Sequence, residues 1–335
     1  MKIKIQAMQP NHIQLQPMYK VEKKLNDMGI IFVKEKPDIL LLHTYKAKPS
    51  FLKEHLDRNI PTILIERVAA AHVLSRENIK KENVVGIAKS TIFRDWRDNN
   101  RTLYQGKRHC YFIAKQYGFE KQNPDLLMEH PIPILEEHIP KIELWYNFAV
   151  YKMMNYFTKI DMNYKATRGI DINFFGTTRY GHHSSMITYH RRACIDAMRN
   201  LKNCNVSMSG SRIAGKKNYV KGLISCKVGV SPWGLGTKCY RDFEAIYAGC
   251  ILLKPECSFV LDWIDTYNPK NDWYLPCKLD WSDLQEKVDW VKYNWNNLLE
   301  KRRERRDRLL AKCNNDEILA THIHNVIKKC SKRIK

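Results

Sequence analysis

No stretch of the sequence is long and apolar enough to cross a bilayer. Runs such as Ile39 to Leu42 and Cys250 to Leu253 stop after a few residues, where a spanning helix needs about 20. The opening MKIKIQAMQP lacks the apolar core of a secretion signal. Acidic side chains are scarce, 35 Asp and Glu against 57 Lys and Arg, for a formal net charge of +22. Such a surplus attracts polyanions, nucleotides and acidic membranes whatever the fold. The ten cysteines form no CxxC pair and no cluster with histidine at zinc spacing, so they read as reduced thiols of a soluble, cytoplasmic chain. Gly-x4-Gly-Lys-Ser/Thr, Gly-x-Ser-x-Gly and His-Glu-x-x-His are all missing, which excludes P-loop ATPase, serine hydrolase and zincin chemistry.

What is present is enough for two domains: 335 residues, 44% of them hydrophobic. Short apolar segments at Lys2 to Met8, Asp38 to His43, Thr62 to Glu66 and Val84 to Ala88 alternate with amphipathic stretches. That alternation predicts parallel strands with crossover helices in a doubly wound α/β domain. Asn123 to Pro140 is Pro-rich and suits a surface connection. Ile142 to Phe157 has a helical pattern, and the domain junction is placed near it. The alternation restarts with a strand at Ile170 to Phe175, an Arg-rich helix at Met186 to Leu201, a strand at Val228 to Val230, a helix at Tyr240 to Ala248 and a strand at Cys250 to Leu253. Glu300 to Lys335 carries twelve Lys and Arg against five Asp and Glu, 12 − 5 = +7, at mostly helical spacing. The expected division is 1–155, 156–290 and a basic tail at 291–335 that packs back on the first domain.

The segment Lys221 to Pro255, KGLISCKVGVSPWGLGTKCYRDFEAIYAGCILLKP, holds the densest chemistry. A strand leads through a loop at Ser231 to Gly236 into a helix beginning near Thr237. Glycines let a backbone approach an anion closely, and a helix N-terminus offers N–H groups and positive potential. Lys238 and Arg241 add cations, and Glu244 is placed to accept hydrogen bonds from vicinal hydroxyls such as those of a ribose. Each of these residues also has a plainer role, in a turn or a helix-surface pair.

The run SPWGLG followed by RDFEAIYAGCILLKP resembles the donor-nucleotide segment of GT-B glycosyltransferases, most nearly the exostosin-like group. The strand and turn IDINFFGTTR resemble the first strand of that fold's C-terminal domain. The resemblance spans Ile170 to Pro255. It implies two facing Rossmann-like α/β domains, with a nucleotide-sugar donor, UDP-sugar before GDP-sugar, held by the second. Carried over by position, Ser231, Pro232, Trp233, Gly234, Gly236, Thr237, Lys238 and Arg241 would surround the diphosphate and Glu244 the ribose. Gly176, Thr177 and Arg179 would face the leaving group, His182 would touch phosphate, and Ser209 and Arg212 would lie in the base-binding loop.

Cleaving the bond from a sugar to a nucleoside diphosphate builds negative charge on the phosphate oxygens, which a metal or fixed cations must neutralise. The sequence has no Asp-x-Asp to hold a metal, so Arg179, Lys238, Arg241 and the helix terminus are expected to serve, with no cofactor and no essential metal. An inverting reaction needs a base at the acceptor hydroxyl. Glu66, ending TILIE, is the first candidate, followed by His43 after DILLL and Asp95 in IFRDWRD, all at or beyond strand ends where such folds place ligands. The expected acceptor is a glycan or glycoconjugate. No specific nucleic acid partner is expected, though basic surface suits peripheral membrane contact. The alternatives are a non-enzymatic nucleic-acid-binding protein, motivated by charge, and an inactive glycan-binding module.

Overall fold

The computed structural model describes residues 2–8, 15–44, 47–66, 71–128, 132–146, 157, 167–180, 185–208 and 216–334. The first sheet holds β1 (Ile3–Ala7), β2 (Ile30–Phe32), β3 (Ile39–His43), β4 (Thr62–Glu66) and β5 (Val84–Lys89). Next in the chain come β6 (Thr91–Phe93), β7 (Leu103–Tyr104) and β8 (Leu127–Met128), then β9 (Ile142–Leu144), which returns to the first sheet. That sheet runs β2-β1-β3-β4-β5-β9, parallel throughout. Every residue of β3, β4 and β5 is buried, which is why these strands read as unbroken apolar runs rather than alternating ones.

The second sheet consists of β10 (Ile170–Phe174), β11 (Val206–Met208), β12 (Cys226–Val230), β13 (Ile251–Pro255) and, beyond β14 (Val260–Asp262), β15 (Leu275–Cys277). Its order is β11-β10-β12-β13-β15, again all parallel. Numbered within each sheet, both follow the order 2-1-3-4-5, the first with β9 added at its edge. The expected α/β architecture of two Rossmann-like units is what forms. The order reverses between β1 and β3 in one sheet and between β10 and β12 in the other. In doubly wound folds the crevice at the carboxyl ends of such a strand pair is where ligands bind.

Three features tie the halves together. β6, directly after the first sheet's β5, pairs antiparallel with β14. The helix Arg108–Gln116 buries Cys110, Ile113 and Ala114 in one cluster with Trp233, Phe243 and Tyr247 of the second half. The C-terminal helices divide between the two sheets. Helix Leu284–Asn294 packs Val288 and Val291 with Val228 and Ile251, whereas helix Asp316–Ser331 packs Leu319, Ile323 and Ile327 with Ile5, Ile39 and Ile65. The latter helix starts where the Asn315 side chain accepts from the Glu317 and Ile318 N–H groups at 2.9 and 3.2 Å, an N-cap worth about 1 kcal/mol. Its acidic first turn pairs with Lys20 and Lys24, and its end is fixed by Lys329 and Arg333 on Glu143.

One expectation is corrected, and one segment is more ordered than its composition suggested. Ile142–Leu144 is the edge strand β9 rather than the start of a helix, because Ile87, Ala88 and Lys89 of β5 offer it a parallel ladder. The Pro-rich connection contains β8, paired with β7, and two short 3-10 turns, Pro124–Leu126 and Glu136–Lys141. Among the described residues no helix is long and apolar enough to cross a membrane.

Candidate functional site

At the second sheet's reversal point, β10 leads into the turn Phe175 to Arg179 and β12 into the loop Ser231 to Gly236. One side chain joins them. Arg191, on helix Ser185–Arg199 and 5% exposed, donates Nη1 to the Thr177 carbonyl at 2.7 Å and Nε to the Trp233 carbonyl at 2.9 Å. Its guanidinium passes so close to Gly234 that a Cβ there would lie 2.8 Å from Nη2. Gly176 meets Arg241 in the same way, at 2.5 Å from a Cβ. Both glycines do allow a close approach, but what approaches is the end of an arginine side chain of the protein itself.

The helix Tyr240–Tyr247 starts with a capping box: Asp242 Oδ2 accepts from the Cys239 N–H at 3.0 Å while the Asp242 N–H bonds back to Cys239. Asp242 is wholly buried and also accepts from the Ser231 hydroxyl at 2.5 Å, the Tyr267 hydroxyl and the Lys254 ammonium at 3.3 Å. Burial works against the Lys254 ammonium, but Asp242 outweighs it and holds the lysine pKa above its ordinary value. One carboxylate thus locks the end of β12, β13 and the helix start together, and it also occupies part of the positive helix end that was expected to be left free for phosphate.

The remaining cations differ in what holds them. Arg241 lies over the Phe174 ring at 4.6 Å, and its neighbours Tyr219 and Glu244 overcome burial to raise its pKa. Among the described residues its Nε has no partner, nor has the Thr237 hydroxyl, and both atoms are buried. Lys238 reaches across to the first half and donates to the Ser90 carbonyl at 2.7 Å and hydroxyl at 3.0 Å. Burial pushes its ammonium down to about 8, against the opposing pull of Asp262 and Asp242. Arg179 is exposed on its turn. Glu244 accepts a short hydrogen bond from the Tyr219 hydroxyl, so a ribose would have to share or displace that donor. Trp233 is 2% exposed, packs edge-on to His109 and Phe259 and donates to Cys257 Sγ at 3.0 Å. It is a core anchor for the loop. Pro232 is buried in the same loop, its carbonyl accepting from Cys239 Sγ at 3.5 Å. Gly236 closes the loop by accepting from the Gly234 N–H at 2.9 Å.

The base candidates fare differently from expectation. Glu66 does end β4 at the carboxyl edge, yet it is 1% exposed. Lys89 Nζ lies 2.8 Å from Oε2, and the Leu74 and Ser75 N–H groups donate to its oxygens at 3.2 and 2.7 Å. Burial raises its pKa, but Lys89 and Ser75 together bring it below the usual carboxylate value. As folded, Glu66 is the anchor of Lys89 and of the turn at 74–75, with no oxygen open to an acceptor hydroxyl. Asp95 caps the 3-10 turn Trp96–Asn100, accepting from the Arg97 N–H at 3.0 Å and pairing with the Arg97 guanidinium at 2.8 Å. It too is engaged in a local structural role. His43 is wholly buried at the end of β3. His182, Ser209 and Arg212 lie outside the described residues.

Sequence reading missed Arg191, Asp242, Lys254 and His109. The last, on helix Arg108–Gln116, donates Nε2–H to the Gly234 carbonyl at 3.1 Å, and burial holds it neutral with a pKa of about 3. Only Asp242 had a local signal, since Cys239-x-x-Asp242 has the spacing of a capping box. Among the described residues no group of three His, Cys, Asp or Glu side chains is placed to hold a metal ion.

No family model matches the chain and no curated protein matches it. Solved structures give remote likenesses. An alpha-glucosyltransferase in complex with UDP and a 13-mer DNA containing an HMU base is 10% identical, with 98% of this chain and 100% of that chain covered and a TM-score of 0.45. The same type of enzyme with UDP and mismatched DNA is 9% identical at the same coverage, with a TM-score of 0.48. A UDP-forming alpha,alpha-trehalose-phosphate synthase from Burkholderia vietnamiensis is 12% identical over 94% of this chain and 79% of its own, with a TM-score of 0.45. The expectation of a glycan acceptor with no nucleic acid partner is corrected here, because the glucosyltransferase structures hold DNA. The exostosin-like resemblance finds no matching family model, and the fold assignment stands on the two strand orders.

Proposed function

We propose that the protein transfers a sugar from a nucleoside-diphosphate donor to a nucleic acid acceptor. The observation that carries the donor half is the second sheet's reversal point, where two turns are clamped by Arg191 while the buried Thr237 hydroxyl and Arg241 Nε have no partner among the described residues. Buried polar atoms are ordinarily paired, and a diphosphate would supply acceptors to both. Lys238, held on Ser90, is a cation whose charge burial disfavours and a diphosphate would stabilise. In this reading Arg241, Thr237 and Lys238 bind the diphosphate, Arg179 reaches the leaving group and Glu244 meets the ribose. Donor binding then exchanges protein partners for ligand oxygens at Ser90 and Tyr219.

The acceptor half rests on charge. A net +22 is the electrostatic footprint of a polyanion ligand. Donor chemistry and polyanion binding meet in one molecule if the polyanion is the acceptor. The first donor to try is UDP-glucose, held by one of the DNA-bound glucosyltransferases. The test is release of UDP from UDP-glucose by the purified chain, with and without hydroxymethylated duplex DNA. Release that depends on DNA and is lost in Arg241→Ala supports the reading. DNA binding with no nucleotide-sugar binding or turnover would leave a nucleic-acid-binding protein without this chemistry.

A further inference from the structure

On the outer side of the helix Arg108–Gln116, a recess of about 420 Å³ is lined by Arg101, Thr102, Arg108, Tyr111, Phe112 and Lys115, among others. That volume falls in the range of small-molecule sites, about 300–1,000 Å³. Its charge is one-sided. Asp98 lies 3.1 Å from Arg101 and 4.0 Å from Arg108, one carboxylate for three cations, and Lys115 forms no ion pair with a described residue. Arg108 is 7% exposed and donates Nη1 to the Thr102 carbonyl at 3.0 Å, yet its buried Nε has no partner among the described residues. Its guanidinium lies over the half-buried rings of Tyr111 and Phe112 at 5.0 and 4.6 Å.

We infer that this recess binds a nucleotide phosphate, with the base against Tyr111 and Phe112. A guanidinium fork with an unused N–H suits phosphate oxygens. Aromatic and arginine faces stack bases of any sequence. The position has a purpose too: His109, on the same helix, bonds to Gly234, and the Phe112 ring sits 6.4 Å from that of Trp233, so the recess backs onto the donor loop. A strand of acceptor anchored there would be held beside the transfer site. The inference rests on the nucleic acid half of the reading above and not on its donor half.

The same phosphate chemistry is offered by a free mononucleotide and by a polynucleotide, and the test separates them. A labelled short oligo-dT strand and dTMP are titrated, each without UDP, into the full chain and into Arg101→Ala/Lys115→Ala, whose altered side chains are exposed and lie in the recess rather than at the donor loop; melting curves check that the variant is folded. For the strand, binding is measured from about 50 to 200 mM salt. Loss of two phosphate contacts lowers the slope of log K against log salt by about 1.4, and we expect affinity about tenfold weaker in the variant. Unchanged strand binding with dTMP binding lost in the variant assigns the recess to a free nucleotide. Equal binding of both ligands by the two proteins overturns the inference while leaving a nucleic acid acceptor standing. Absence of strand and dTMP binding in the unaltered chain overturns the inference, while duplex DNA binding and UDP binding, read separately, still report on the acceptor and on the donor site.

Discussion

The two sheets share the order 2-1-3-4-5 and differ in what stands at their carboxyl ends. At the first, the carboxylate and the ammonium that end β4 and β5, Glu66 and Lys89, neutralise each other in a site with no exposed side-chain surface. At the second, the corresponding buried pair, Asp242 and Lys254, lies one layer back. It fixes the loop and helix whose buried residues Thr237 and Arg241 keep polar atoms without a partner among the described residues. A buried ion pair can therefore satisfy an edge completely or stand behind one that still has hydrogen-bonding capacity, depending on whether it is the last charge or the last but one. One scaffold used twice yields a structural edge and a candidate binding edge.

The comparison can be broken most severely at the pairs themselves. Asp242→Ala leaves Lys254 buried without its carboxylate, and about 3–5 kcal/mol of stability should go, with nucleotide binding lost as the helix start loosens. Glu66→Gln should cost about 3 kcal/mol by stranding Lys89 while nucleotide affinity in the folded protein stays unchanged. Denaturant melts and equilibrium dialysis on both variants report this, and equal loss of binding in the two would erase the distinction between the edges. Arg191→Lys, which cannot bridge two carbonyls with a planar fork, should cost about 1–3 kcal/mol and weaken nucleotide about tenfold.

A pH profile sharpens the comparison further. In the free protein the Lys238 ammonium deprotonates near 8, whereas a bound diphosphate favours the charged form. Affinity should therefore fall as pH rises past 8, and calorimetry just above that value in two buffers should register proton uptake on binding. The sign for stability is opposite: with the folded pKa below the unfolded one, Lys238 makes the free protein more stable as pH climbs from about 8 toward the ordinary lysine value. Smallest is Glu244→Gln, which keeps an oxygen for Tyr219 and should cost about 1 kcal/mol of nucleotide affinity, read by the same dialysis.

The strands that read most clearly from sequence are those buried on both faces. TILIE is β4 to the residue, and DILLLH and VVGIA mark β3 and β5 to within a residue, because a parallel sheet covered on both sides needs continuous apolar runs. Leu275–Cys277 and Ile142–Leu144 escape that reading, since a three-residue edge strand carries too few positions to show a period and is defined by its partner. The candidate loop after β12 was legible from its glycines and cations, but the supports behind it were not. Arg191 is one of several arginines on an amphipathic helix, and nothing local marks it as the one that turns inward to Thr177 and Trp233. Glu66 shows the converse: its place at a strand end was legible, while Lys89, 23 residues on, decides its chemistry.

The central claim is that the second sheet's reversal point binds a nucleoside diphosphate through Arg241 and Lys238. Isothermal titration of UDP and of uridine into the unaltered chain, Arg241→Ala and Glu66→Gln tests it most directly. The account predicts that UDP binds the unaltered chain and Glu66→Gln alike, that uridine binds far more weakly, and that Arg241→Ala loses UDP affinity by at least about tenfold. UDP binding that Arg241→Ala leaves untouched, or no UDP binding at all, would contradict it.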